Sequence, residues 1–146
     1  MKKLDFLIGI KAPKEKVWDV LWNDATYRKW TSTFSEGSYA VSDWHEGSKV
    51  LFLSPSGEGM FSIIQKKVPN EFMSFKHLGT VKDGKEQPES DETKKWSGAM
   101  ENYSLKENSG ITELTVVMDI TEDHEQYFKD TFPKALEAVK TLAEAN

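Results

Sequence analysis

ITELTVVMDITEDHEQYFKDTFPKALEAVKTLAE, residues 111–144, changes its hydrophobic period once. From Ile111 to Ile120 the apolar residues alternate, with Leu114, Val116 and Met118 on one face, the period of a strand with one buried side. Beyond Thr121-Glu122-Asp123, the residues Phe128, Phe132, Ala135, Val139 and Leu142 recur at three- and four-residue steps. That spacing makes one apolar helix face, ending about Glu144. Pro133 falls well inside it, so either the helix kinks there or residues 123–131 form a separate turn ahead of it.

Working back along the chain, the period stays at two. Trp96–Lys106 reads as a strand joined to Ile111–Ile120 through Glu107-Asn108-Ser109-Gly110. Four more runs precede it: Ser38–Trp44, Ser48–Ser54, Gly59–Lys67 and Glu71–Thr80. Short breaks bearing Gly or Pro separate them, which are hairpin connections and predict antiparallel pairing. The segment 81–95 is polar, with Gly84 and Pro88, and is expected to be an exposed, mobile loop inside a single domain spanning 1–146. At the start, Lys3–Lys11 is a short β-rich run stopped by Ala12-Pro13. Val17, Trp18, Leu21 and Trp22 then share one helix face, and Asn23-Asp24 caps a second short helix ending near Trp30.

The order is β-α-α-β6-α, an α+β chain. One long helix covers only part of seven antiparallel strands. The sheet must therefore curl around it, with the two short helices closing one end. A seven-stranded curved antiparallel sheet gripping a helix leaves room for a cavity, and cavities take ligands.

Composition narrows the function. Hydrophobic residues make up 38% and charged residues 29%, too apolar for disorder. The formal net charge is −5 and Lys2-Lys3 and Lys66-Lys67 are pairs rather than a basic stripe, so neither nucleic acid nor an anionic membrane is an expected partner. No run approaches the roughly 20 apolar residues that span a bilayer. Asp5 interrupts what would be the apolar region of an export signal. With no cysteine, thiol catalysis and thiolate metal sites are excluded, and a cytoplasmic location is expected.

The chemistry-bearing residues gather on two strands. Ala99, Glu101, Tyr103 and Leu105 share a face, and so do Met73, Phe75 and His77. If these strands pair across 81–95, His77 lies opposite or diagonal to Ala99–Glu101, so a Glu101–His77 pair points into a mostly apolar pocket. Such a pair can orient a polar ligand group or act as a general base; it can also be a structural ion pair. His45, His77 and His124 fall in three different elements, so no metal site is expected, and no cofactor. There is no nucleophile elbow, and Ser54-Pro55-Ser56-Gly57-Glu58-Gly59 lacks a P-loop lysine. Trp18 and Trp22, with Trp30, read as a plug over the core, while Trp44 and Trp96 at strand ends can line a cavity mouth.

Three local patterns carry a resemblance. They are Ala12-Pro13 followed by Val17-Trp18, then Tyr27-Arg28-Lys29-Trp30, then Trp96-Ser97-Gly98 with Glu101-Asn102-Tyr103 and Thr112–Val116. Together the chain resembles the START-like (SRPBCC, helix-grip) superfamily, and within it bacterial homologues of the activator of the heat-shock chaperone ATPase. The resemblance implies binding of a small hydrophobic molecule between sheet and helix. Its walls would be Met73, Phe75, Tyr103, Leu114, Val116 and Met118 with the Phe128–Leu142 helix face, Phe128 and Phe132 included, Trp96 near the mouth, and His77 and Glu101 as polar contacts. Two other functions stay open. One is a co-chaperone-like module that stimulates a heat-shock ATPase in a stress response; the other is a cyclase or hydratase with Glu101 as general base. The chain is read as a binder rather than an enzyme, and as a monomer or a homodimer through an edge strand.

Overall fold

Pro13 has extended backbone angles at the head of the first helix, so the chain leaves its first strand and turns straight into helix. The computed structural model describes residues 1–145. Strand β1 (Lys2–Ile10) is followed by α1 (Lys14–Trp22) and α2 (Asp24–Thr31), then by β2 (Tyr39–Val41), β3 (Lys49–Leu53), β4 (Gly59–Val68) and β5 (Phe72–Lys82). After these come β6 (Lys85–Glu86), α3 (Asp91–Lys94), β7 (Met100–Asn108) and β8 (Ile111–Ile120). A 3-10 turn at Glu122–His124 leads into α4 (Glu125–Glu144).

All pairings are antiparallel and the sheet order is β1-β8-β7-β5-β4-β3-β2, with β6 added to β5. The α+β architecture is therefore the expected one: a curved antiparallel sheet, a long C-terminal helix and short helices. The core lies between the concave face and the helices. Val17, Val20 and Leu21 of α1 and Phe132, Ala135, Leu136 and Val139 of α4 close over Val116, Leu114 and Met73 of the sheet. α4 stays helical through Pro133, which is exposed, as is Lys129 four residues earlier. The carbonyl that Pro133 leaves without an N–H partner faces water, so the missing bond is tolerated.

Four expectations need correction. The sheet has eight strands, not seven, because β5 runs on to Lys82 and turns back through Asp83-Gly84 into the two-residue β6. The segment 81–95 is accordingly not a plain loop. Val81 and Thr93 are buried, Ser90 caps α3 by accepting from the Thr93 N–H, and Lys49 is paired with Glu86. Its polar sequence hid elements too short to show a period. Finally, Ser38–Trp44 yields only the three residues of β2, since Trp44 takes a left-handed φ of 63° that ends extended pairing, and β7 starts at Met100 because Trp96-Ser97-Gly98 forms a turn bonded back to Thr93.

Candidate functional site

Period-two alternation carries Met73, Phe75 and His77 of β5 onto the concave face. The register then sets Phe75 opposite Glu101 and Met73 opposite Tyr103 on β7, and β7 sets Glu101 opposite Met118 on β8. The His77 N–H donates to the Ala99 carbonyl at 2.8 Å, so His77 and Glu101 are diagonal neighbours. On the other side of β5, a bulge between Phe61 and Ser62 brings Ser62 opposite His77.

These placements join four side chains into one buried chain. Ser62 Oγ lies 2.6 Å from His77 Nδ1, and His77 Nε2 lies 3.0 Å from Glu101 Oε1. The Tyr103 hydroxyl donates to Glu101 Oε2. Burial pushes the Glu101 carboxyl upward, but the His77 bond and charge, with the Tyr103 bond, outweigh it and hold the group below the usual carboxylate range. Tyr103 and Tyr27 move the other way. Burial first, and then the neighbouring Glu101 charge, push both phenols well above their ordinary value.

Ser, His and Glu in sequence look like a nucleophilic triad, but the geometry gives Ser62 another task. It is fully buried and is not among the cavity's lining residues, so no substrate carbonyl can reach its oxygen from there. What Ser62 does is fix the imidazole plane from behind. With both ring nitrogens engaged, His77 in turn fixes Glu101.

Glu101 looks into a cavity of about 550 Å³, within the range of small-molecule sites. It lies between the N-terminal half of α4, the end of α2 and strands β3, β4, β5, β7 and β8. Its walls are mainly aromatic. Trp22, Tyr27 and Trp30 come from the short helices, and Phe34 stacks edge-on against Phe132 at 5.1 Å. Tyr127 donates its hydroxyl to the Phe34 carbonyl at 3.1 Å, tying α4 to the segment after α2 across the mouth.

Of the residues expected to line a pocket, Phe75, His77, Glu101, Tyr103, Met118, Phe128, Phe132 and Trp96 do so. Met73, Leu114 and Val116 do not, nor does the helix face beyond Phe132. The three strand residues are fully buried along the sheet from the cavity, where the α1–α4 packing fills the space above them. Trp44 is also absent from the lining and packs on Trp22 at 5.8 Å. Among the described residues no three His, Asp or Glu side chains converge as metal ligands.

At the level of sequence, no protein-family model and no curated protein matches the chain. Solved structures do. The Aha1 dimer from Colwellia psychrerythraea superposes with a TM-score of 0.75 at 22% identity, covering 99% of this chain and 97% of that one. The fold is START-like. An AHSA1-like protein from Aeromonas hydrophila shares it at a TM-score of 0.71 and 14% identity, over 98% of this chain and 92% of that one. DynU16, of the dynemicin biosynthetic locus, gives 0.73 at 10% identity, over 99% of this chain but 48% of its own length. In a START-like frame the sheet and long helix are common property. Within that frame this chain carries the Ser62–His77–Glu101–Tyr103 series at the cavity floor. Sequence reasoning placed the middle pair but missed Ser62, whose one signal is a hydroxyl alternating with Ile64 on an apolar strand face.

Proposed function

We propose that this chain binds a small, largely apolar molecule in the cavity under α4, oriented by hydrogen bonds at Glu101. The observation that carries the reading is one half-buried carboxylate, bonded by two donors, at the floor of an open cavity of about 550 Å³ whose walls are rich in aromatic rings. A fold that served only to dock another protein needs no such space, so the open cavity favours a ligand over a co-chaperone role. Base catalysis is also disfavoured: bonding that holds Glu101 below the usual carboxylate range makes it a weaker proton acceptor.

The test is thermal unfolding of the purified chain with and without a panel of neutral polycyclic compounds. A ligand at 100 times its dissociation constant adds about 2.7 kcal/mol, which raises the midpoint of a domain this size by several degrees. Thr80→Trp, which places a large ring in the cavity wall, should abolish the shift while the unliganded protein still melts cooperatively. Equal shifts in Thr80→Trp and the parent would put the ligand elsewhere.

A further inference from the structure

The charged residues around the cavity are unbalanced in sign. Glu58, Glu101 and Asp119 line it, and among the described lining residues there is no lysine or arginine. Two cations outside the lining, Lys3 and Arg28, are already engaged. Lys3 donates to Asp119 at 2.8 Å; Arg28 lies over the Tyr39 ring at 5.1 Å and is paired with Asp24. His77 has no N–H to spare, because Ser62 and Glu101 occupy both ring nitrogens. His124, at the rim, is exposed and engaged with Thr121 and Asp123.

An anionic ligand would thus enter a space lined by no lysine or arginine, with His77 already turned to Ser62 and Glu101, and would meet the Glu101 carboxylate at the floor. Each Glu101 oxygen accepts one bond from the protein and has capacity for another, which only a donor can use. The surrounding rings add to the bias, since aromatic faces attract cations.

We infer that the cavity selects lipophilic organic amines, bound as ammonium ions with Glu101 as their acceptor, over carboxylates of the same shape. This rests on the cavity reading above and names its ligand class. Recognition needs only a hydrophobic ring system with a basic nitrogen a few bonds away. No bond is made or broken.

The test uses the intact chain and a neutral fluorescent reporter, N-phenyl-1-naphthylamine, displaced by three competitors that share a ring system: 2-(1-naphthyl)ethylamine, 1-naphthaleneethanol and 1-naphthylacetate. The expected order is amine, alcohol, acid, with the amine effective at about tenfold lower concentration than the acid. In Glu101→Gln, whose amide keeps the shape and loses the charge, the amine should fall to the level of the alcohol while the reporter still binds. An acid that competes as well as the amine overturns the proposal, as does an amine preference that survives Glu101→Gln. If the variant no longer binds the reporter, the order among competitors on the parent protein decides alone. Should neither the reporter nor any competitor bind the parent protein, the cavity reading itself fails, which is a different result from a missing preference.

Discussion

Glu101 is pulled in two directions, and the balance sets a pH dependence of each sign. Burial favours its neutral form, but the His77 and Tyr103 bonds win, so its folded pKa lies below its unfolded one. Stability from this group is present above the ordinary carboxylate range and is lost as pH falls through the folded value. Tyr27 and Tyr103 behave oppositely. Their folded values are raised, so the stability from their neutral forms is full below about pH 10 and declines as pH rises past it. Tyr27 allows a clean test because it is buried beside the cavity without being part of the Glu101 hydrogen-bond series. Urea unfolding midpoints should fall between about pH 9 and pH 11 in the parent protein, and fall less steeply in Tyr27→Phe. An identical decline in both would remove Tyr27 from the account. At this scale the sequence was half legible. Alternation alone put His77 and Glu101 on one face. Ser62 was out of sight because the bulge that turns it toward His77 is a property of two strands together, and no single-strand pattern records it.

Elements were legible where a period ran long enough to be counted. β8 matches its sequence reading residue for residue, and the apolar steps of α4 fall on its buried side from Phe132 to Val139. β6 and α3, at two and four residues, carry no measurable period; β6 is held by neighbours, through Gly84 N–H on the Gly57 carbonyl at 3.1 Å and Gln87 N–H on Thr80 at 2.9 Å, and α3 by its Ser90 cap and the buried Thr93. The β3–β4 hairpin adds a constraint that only packing reveals. A Cβ at Gly59 would sit 1.8 Å from the Phe52 carbonyl oxygen, a backbone atom that cannot move unless the strands part. Gly59→Ala should therefore cost about 1–3 kcal/mol in urea unfolding. Because Phe52, Leu53, Gly59 and Met60 all line the cavity, reporter affinity should drop with it. A variant as stable as the parent would mean the hairpin can open without penalty.

Across the whole molecule, an open sheet has two edges, and each has to avoid pairing with a second copy. β2 does so by brevity, at three residues. β1 is nine residues long and needs other means. The Gly9 carbonyl accepts from Lys140 Nζ at 3.3 Å, and the Lys11 N–H donates to Glu144 at 2.8 Å, so α4 covers the last part of the edge. Backbone groups alternate along a strand; if Gly9 faces outward, so do Leu7, Asp5 and Lys3. Leu7 is 64% exposed, which makes this open half the adhesive one. The longest antiparallel self-pairing open to this half centres on Asp5 and sets Asp5 directly against Asp5, which destabilises a strand pair; a centre at Leu4 or Lys3 leaves a shorter overlap before the chain ends, and one at Leu7 runs into the covered half. The expectation is a monomer, with light scattering at micromolar concentration giving the mass of one chain. Asp5→Val removes the repulsion at the Asp5 centre and leaves Leu7 beside it, so this variant should shift toward twice that mass. A parent protein that is already dimeric, or an Asp5→Val variant that stays monomeric at high concentration, would show that charge on β1 is not what keeps the edge free.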